Sequence, residues 1–568
     1  MSYDILFQQA LNLHNAGYFD RAEKIYRQIL ETAPNNPDVL NLMGLIAQVK
    51  GIHGEAAGYF YKALKETPKH APLYFNLAVS LNELGKYYES IDMYNRAIEL
   101  NPDIAEAYNN LGLIFLHLGE DLKAKEFFSK SIEINPDFAD AKANLALAEK
   151  DYDTLRGLNI PIAAYYLSLL YQGDGNFEKA LEYALKTEEY NQIAELYLLT
   201  GDIKKAESYL KYCLSANPSS ASALINLANI ETNRKLFDDA EKKYKKALDI
   251  SPDDVNAHIN YANMLYLSGR LHEALEENRK AVVLNSDIPE ISNNIGIIQK
   301  DFKEYEQAVD LFFNAFAKNP GKDEFAINIA ETLQLMVQSG KNEEAVKIAK
   351  KWKELFPKNT FAIHSYASLT NDNVLQNDAV YSEKLFEHFA ENYEDTLKNI
   401  NYNLPNKIKE KARSIEGRIL DLGCGTGLLG IAIKNDKNKI IGVDISANML
   451  RKAKEKNVYD DLICADIASY LQEKQKFDWT FAADVFSYIG NLENIISMCD
   501  SKNLCFSIES GENEDFYLTE TGRYKHNETY IDKILQKNSF NAEKHEINLR
   551  LENGVPVKGM LFLARKRR

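Results

Sequence analysis

Proline returns every 34 residues through the start of the chain, at Pro34, Pro68, Pro102 and Pro136. The same spacing resumes at Pro218, Pro252 and Pro320, with Ser286 in the slot between. A fixed period of this length builds stacked copies of one small unit rather than one globular core. Other positions keep the same phase. A small residue recurs at Gly44, Ala78, Gly112, Ala228, Ala262 and Gly296, and a second at Ala56, Ser90, Ala124, Ala240, Ala274 and Ala308. Large apolar groups follow at Phe60, Tyr94, Phe128, Tyr244 and Phe312. Small residues let two helices approach closely, and a large side chain fills the space left. Proline then closes the unit because it cannot continue a helix.

This pattern resembles the tetratricopeptide repeat (TPR), a helix–turn–helix unit, over residues 1–357. The resemblance implies an all-α superhelix of nine or ten repeats with a concave, protein-binding groove. Residues 150–188 break phase, although Tyr166, Gly173, Phe177 and Ala180 suit one distorted repeat. A second poor repeat covers 189–218, and the last, 324–357, overruns the period. Asparagine recurs 26 residues before the proline slot at Asn76, Asn110, Asn226, Asn260 and Asn294, with Asn144 and Asn328 in the equivalent place. Amides repeated at the pitch of a superhelix can hydrogen-bond an extended peptide backbone whatever its sequence. The series is similar to the asparagine ladder of O-linked N-acetylglucosamine transferases. A solvated, sterically chosen asparagine is the alternative reading.

After Pro357 the period stops. Residues 358–379, rich in Asn, Ser, Thr and Asp, read as a linker with one helical turn, and 381–393 as an amphipathic helix. From 418 strands alternate with helices, which indicates an α/β domain with a parallel sheet. The strand Ile419–Leu422 runs into Gly423-Cys424-Gly425-Thr426-Gly427 and then a helix. Glycines let backbone approach a ligand, and a helix start favours an anionic group. The next strand ends at Asp444, 21 residues after Gly423, where a carboxylate can accept ribose hydroxyls. A third ends at Asp466, suited to an adenine amino group, and a fourth at Asp484, beside the reaction centre. Gly425-x-Gly427-x-x-Gly430 alone also fits a dinucleotide fingerprint. Asp421, two residues before the first glycine, would repel a pyrophosphate but receive the ammonium of a methionine moiety.

The arrangement resembles the class I S-adenosylmethionine-dependent methyltransferases, whose D/E-x-G-x-G-x-G loop is matched by Asp421 to Gly427. The segments "FEHFAENYEDTL", "DLGCGTGLLG", "GVDISANML", "ADVFSYIG" and "RYKH" look like bacterial TPR-linked methyltransferases near the trans-aconitate methyltransferase type, over 380–568. The resemblance implies a Rossmann-like domain with a seven-stranded sheet, closed by a C-terminal hairpin across 540–565 that turns at Glu552-Asn553-Gly554. It also implies S-adenosylmethionine as cofactor. Asp421, Gly423, Cys424, Gly425 and Gly427 would hold its methionine end, and Asp444 its ribose. Ile445, Met449, Asp466 and Ile467 would meet the adenine, Asp484 would close the site, and Tyr393 would cover it and face its positive charge, or else pack only as a helix face. Two departures are visible. Cys499-Asp-Ser-Lys-Asn503 replaces the usual Pro-Gly-Gly turn, so strand five enters through a tighter one. Ala483-Asp484-Val485-Phe486 replaces the Pro-Pro-Tyr sequence of many amino-group methyltransferases.

Positioning supplies much of the rate of methyl transfer, and a base is needed only for a protonated nucleophile. Tyr488, Tyr524, His526 and Asp484 are the candidate catalytic groups. Arg523 is the candidate substrate residue, able to hold a carboxylate bidentately. His526 has a second reading as a surface residue before the helix that Asn527 caps. A net charge of −16 disfavours nucleic acid as a main partner. The C-terminal Arg565-Lys566-Arg567-Arg568 reads as a solvated tail. Five cysteines, odd in number and without a CxxC pair, suit a reducing compartment. Neither a signal peptide nor an 18-residue apolar run is present, so the expectation is a cytoplasmic protein without a membrane partner. No metal is expected. The sequence reads as a methyltransferase whose TPR arm recruits a protein acceptor. Two alternatives stay open: carboxyl O-methylation of a small metabolite with the arm serving assembly only, and a cofactor-binding scaffold without turnover.

Overall fold

The computed structural model describes residues 3–371, 379–512, 514–552 and 554–567. They form two compact units, 1–252 and 253–568. The first is helical throughout. Helices such as Pro37–Val49 and His53–Glu66, or Ala105–His117 and Asp121–Ile134, pair antiparallel, and each pair is one repeat. The expected small-to-large packing is the physical basis of the pairing. A Cβ added to Gly44 would lie 2.4 Å from the Phe60 ring, and one on Gly112 2.5 Å from Phe128. The recurrent proline follows a capped helix end, as at Thr67–Pro68 after His53–Glu66.

The out-of-phase stretch remains helical. Ala139–Glu149 pairs with a short helix, Tyr152–Gly157, started by Asp151, whose Oδ1 accepts from Thr154 N at 3.0 Å. Pro161–Gly173 then pairs with an eight-residue helix, Phe177–Ala184. Truncated second helices, not lost repeats, shift the phase there. The described residues hold eleven helix pairs, eight in the first unit and three in the second, against the nine or ten expected.

The second unit opens with its three pairs and then departs from the expected boundaries. Residues 360–370 form an eleven-residue helix, so the region expected as a linker is largely structured; 372–378 lie outside the described residues. Phe361 and Ala362 of this helix, and Tyr381 of the next helix, Ala379–Phe389, join the core built around Trp352, Phe316 and Phe325. A polar composition hid the helix because its buried face needs only a few apolar residues.

The remainder is a nine-stranded sheet rather than seven. The strands are β1 Gly417–Leu422, β2 Asn438–Asp444, β3 Asp461–Cys464, β4 Phe477–Ala482, β5 Ser501–Gly511, β6 Phe516–Leu518, β7 Tyr524–Asn527, β8 Phe540–Glu552 and β9 Val555–Lys566. The order β3-β2-β1-β4-β5 is parallel, β9 runs antiparallel to β5, and β8 pairs with β9. These seven make the expected core. The extra two, β6 and β7, form a hairpin whose β7 continues parallel to the far end of β5, at Glu509–Gly511. Both faces are covered, as parallel strands require. Leu420, Leu422, Phe506, Ile508 and Phe562 pack on one face, and Ile419, Phe481, Cys505, Leu561 and Leu563 on the other. Only Cys499 and Asp500 separate the helix Glu493–Met498 from β5, the tight entry expected. The hairpin of β8 and β9 is present, with Asn553 of its turn outside the described residues. The basic C-terminus is not a free tail. Arg565 and Lys566 belong to β9, Lys566 pairs with Asp500 at 2.9 Å, and Arg567 donates to Asn541 at 2.9 Å. Arg568 lies outside the described residues. No helix among the described residues is long and apolar enough to cross a membrane.

Candidate active site

The carboxyl ends of β1, β2 and β4 converge on one cleft, at the place where the strand order reverses direction. The space within it, open solvent included, is about 670 Å³. Gly423 and Gly425 form its floor, and both take positive φ, +63° and +53°. A Cβ on Gly423 would strike Val485 Cγ2 at 2.5 Å. One on Gly425 would meet nothing nearer than Tyr393 Cε1 at 3.8 Å and would stand in the cleft itself.

Asp444 ends β2 with both oxygens held. Oδ2 accepts from Gly425 N at 2.7 Å and Oδ1 from Ser446 N at 3.0 Å. Burial raises its pKa to about 6 against these backbone hydrogen bonds. Ile445, Met449, Asp466 and Ile467 continue along the same wall. Asp466 has a second task that the sequence did not suggest. It caps the helix Ile467–Leu471, its Oδ2 accepting from Ser469 N at 3.0 Å. Beyond Gly423 a smaller cavity continues past Asp421, Cys424 and Thr426, roofed by Tyr393, Leu397 and Tyr402. Asp421 is 1% exposed, and burial raises its pKa to about 7. Tyr459 Oη donates to its Oδ2 at 2.7 Å and holds the rise back. Cys424 shows the cavity its position, while its amide is already spent on Val443 O at 3.1 Å. Gly427 lines neither cavity. At φ +89° it caps the helix Leu428–Ile433, so its part is to turn the backbone.

The opposite wall comes from the helices Ala379–Phe389 and Tyr393–Asn399, through Ser382, Phe386 and Tyr393. Polar bonds fasten these helices over the cleft. Glu387 Oε1 accepts from Asn448 N at 3.2 Å, Glu391 pairs with Lys452 at 2.9 Å and with Arg451, and Glu394 with Lys456. Phe386 meets the rings of Tyr393 and Tyr488 edge-on, 6.2 and 4.9 Å between centroids. Burial pushes the phenol of Tyr393 well above its usual range and raises that of Tyr488.

Asp484 follows β4 in the left-handed region, φ +58°, an uncommon backbone state for a residue with a side chain. Its amide donates to Ser507 Oγ at 2.9 Å. Burial raises its pKa, opposed by the nearby guanidiniums of Arg550 and Arg523. Arg550, on β8, was not legible in the sequence. It is 2% exposed and ties Glu509, Glu552 (2.7 Å) and Asp484 (3.4 Å) together. Arg523 lies over the Tyr488 ring at 5.4 Å and 3.7 Å from Glu509.

Two of the expected catalytic groups are elsewhere. Tyr524 and His526 lie on strand β7 rather than on a loop. Tyr524 is 2% exposed and packs with Ala367, Leu518 and Phe516. His526 is fully buried and its Nε2 faces the carbonyls of Ile489 and Gly490 at 3.0 and 2.9 Å. Burial lowers its pKa to about 4, so it is a neutral donor that fixes the turn after β4. Neither the base nor the surface reading of His526 survives. The strand pairing Phe516↔His526 is what buries it.

The asparagine ladder is also partly consumed. Its amides donate to an asparagine one repeat earlier: Asn76 to Asn41 (3.2 Å), Asn144 to Asn109 (2.8 Å) and Asn226 to Asn191 (3.1 Å) in the first unit. Asn294 to Asn263 (3.0 Å) and Asn328 to Asn293 (2.7 Å) follow in the second. Asn110 donates to Tyr94 Oη at 3.0 Å, and Asn260 is half-buried. Asn144, 2% exposed and also accepting from Tyr166 Oη at 2.6 Å, is removed from any open groove. Asn226 also donates to Glu195 Oε1 at 3.1 Å, so both of its amide hydrogens are used.

The methyltransferase domain family matches residues 419–500, and tetratricopeptide repeat families match 7–71, 80–119, 105–138, 191–255 and 233–289. Among curated proteins, the 18S rRNA (guanine-N(7))-methyltransferase RID2 of Arabidopsis thaliana is 45% identical over 53 residues, 9% of this chain and 18% of its own. The putative methyltransferase YqeM of Bacillus subtilis is 33% identical over 72 residues, 13% and 29% of the two chains. The malonyl-[acyl-carrier protein] O-methyltransferase of Priestia megaterium is 36% identical over 92 residues, 15% and 34%. The match thus spans about a third or less of each relative. The chain carries a class I methyltransferase domain behind an array of tetratricopeptide repeats; the matches do not extend to the trans-aconitate type.

Proposed function

We propose that this repeat array and methyltransferase domain together form an S-adenosylmethionine-dependent methyltransferase whose array recruits a protein acceptor. One observation carries the cofactor reading. Asp444 is locked by the glycine-loop amide at the end of β2, while Asp421 lies buried at the other end of the same loop with Tyr459 against it. A carboxylate at each end suits a ligand with hydroxyls at one end and an ammonium at the other. The same buried acid would repel a pyrophosphate. The Gly425 position supports the fit, because a side chain there would occupy the cleft.

S-adenosylmethionine supplies a methyl group already activated on a sulfonium. The chain's own residues then orient and exclude. Asp444 accepts ribose hydroxyls, and Ile445, Met449 and Ile467 pack on the adenine. Asp421 takes the ammonium, and Tyr393 with Phe386 keeps water from the cleft. Asp484, held in place by Ser507 and Arg550, accepts the proton of an acceptor that arrives protonated.

The relatives' names specify a guanine nitrogen in one case and an oxygen of malonyl-[acyl-carrier protein] in another, so the shared segment speaks for the cofactor side and not for the acceptor. The small-carboxylate reading calls for a basic pocket. Around Arg523 the structure instead has two guanidiniums and three carboxylates, Asp484, Glu509 and Glu552, which supports a protein acceptor. Methyl-labelled S-adenosylmethionine added with the protein to a desalted cell extract tests this. Label in protein is expected, and label confined to small molecules would favour the metabolite.

A further inference from the structure

A second chamber adjoins the cofactor cleft and shares Phe386, Tyr393, Asp484 and Tyr488 with it. Its far wall comes from the repeat array. Ile327, Ala330 and Gln334 of the helix Asp323–Gln338 line it, together with Phe361 of the helix Thr360–Thr370. The tip between β6 and β7 closes its rim and carries Arg523.

Both helices grip that tip. Gln334 Nε2 donates to Thr521 O at 3.2 Å, and His364 Nε2 donates to Gly522 O at 3.0 Å. Gly522 has φ +74°, and a Cβ there would lie 3.2 Å from His364 Nε2, tighter than ordinary contact. Inside the tip, Thr519 N and Oγ1 both donate to Arg523 O at 2.8 Å. The backbone of Arg523 is thereby fixed from two sides.

The guanidinium so placed is incompletely paired. Its Nη1 is buried without a hydrogen-bond partner, and its nearest carboxylates, Glu509 and Glu552, stand at 3.7 and 4.0 Å. A buried donor left unmatched calls for an oxygen from a ligand or water. The surroundings restrict which oxygen. Arg523 and Arg550 contribute two positive charges and Asp484, Glu509 and Glu552 three negative ones, so no cation is left over for an incoming anion.

We propose that this chamber is the acceptor site, that Arg523 there receives a neutral oxygen, a carboxamide or peptide carbonyl, and that Gln334 of the last repeat and His364 of the helix that follows it are positioning residues for it. The inference rests on the methyltransferase reading above and gives the array a second task besides recruitment.

Ligand-observed NMR on the full chain saturated with S-adenosylhomocysteine tests it, with butyramide and sodium butyrate as probes. Butyramide should bind at least tenfold more tightly than butyrate. Arg523→Met, which keeps the apolar stem, should weaken butyramide tenfold or more. His364→Ala should weaken it severalfold, and His364→Gln, whose Nε2 can reach the Gly522 carbonyl, should restore it. Gln334→Ala provides the same reading if His364→Ala does not fold. Affinity for S-adenosylhomocysteine should stay within twofold in every variant. Butyrate binding as tightly as butyramide would overturn the neutral-oxygen assignment. Butyramide indifferent to Arg523→Met would overturn the site. Loss of butyramide binding in both His364→Ala and His364→Gln, or in neither, together with an unaffected Gln334→Ala, would overturn the positioning role. Each of these leaves the cofactor reading standing, whereas wild type that fails to bind S-adenosylhomocysteine removes both.

Discussion

Tyr459→Phe deletes one hydroxyl and nothing else, and the hydroxyl it deletes donates to Asp421 Oδ2 at 2.7 Å. Asp421 must be ionised to receive an ammonium, yet burial raises its pKa to about 7. A hydrogen bond to a charged group contributes about 1.5–3 kcal/mol, and one pKa unit corresponds to about 1.36 kcal/mol. Losing the bond should therefore move the pKa up by about 1.5 units, to about 8.5. At pH 7.5 the ionised fraction then falls from about three quarters to about one tenth, so affinity for S-adenosylhomocysteine drops roughly eightfold. The ratio between wild type and variant should widen to about thirtyfold toward pH 6 and close to near one by pH 9.5, following the two ionisation curves. Calorimetric titration at half-unit intervals measures it, and taking the ratio at each pH cancels titration of the ligand's own amine. A loss that is constant across the range would refute the reasoning, because it would make Tyr459 a packing residue.

The same two acids govern the empty protein. Asp421 and Asp444 have folded pKa values raised to about 7 and about 6, so the folded state binds more protons than the unfolded one between about pH 4 and 7. Their contribution to stability is complete below the unfolded pKa near 4 and lost as pH rises through the folded values; the melting temperature should fall over that interval, less so in Asp421→Asn. Trp352→Ala removes a fully buried ring from the core shared by the last repeat and the helices after it, and should cost about 3–5 kcal/mol by urea unfolding of the second unit. Gly112→Val drives a side chain into the Phe128 ring, and should cost about 1–3 kcal/mol, read as an earlier unfolding transition of the first unit. The cover helices are fastened by exposed ion pairs such as Glu391–Lys452, so half-molar salt should speed S-adenosylhomocysteine dissociation while leaving the melting temperature nearly unchanged.

Most of the cleft could be read from the chain, because it is written in local sequence. A strand, a glycine loop and an acid at the next strand end are consecutive features, and the structure brings Gly423, Gly425, Asp444, Ile445, Met449, Asp466, Ile467 and Asp484 to one cleft. The groups that tune it were not legible, because they arrive by tertiary pairing. Tyr459 reaches Asp421 from between β2 and β3, and Arg550 reaches Asp484 from β8. The roles first assigned to Tyr524 and His526 failed for one reason. Both lie in the strand pair of β6 and β7, which turns His526 inward. The repeats were legible by period where the period held. Where a helix shortened to six or eight residues, as at Tyr152–Gly157 and Phe177–Ala184, packing persisted while the spacing did not. The helix Thr360–Thr370 was missed because five of its six buried residues, His364, Ser365, Ser368, Ala362 and Ala367, are small or polar.

The central claim is a methyl-donor site at the ends of β1 and β2, and titration of S-adenosylhomocysteine into wild type and Asp444→Ala tests it most directly. The variant removes the acceptor for the ribose and both anchors to Gly425 N and Ser446 N. The account predicts saturable one-site binding by wild type and a loss of about a hundredfold or more in the variant, about 2.7 kcal/mol. Equal binding by the two proteins, or no binding by folded wild type, would contradict it.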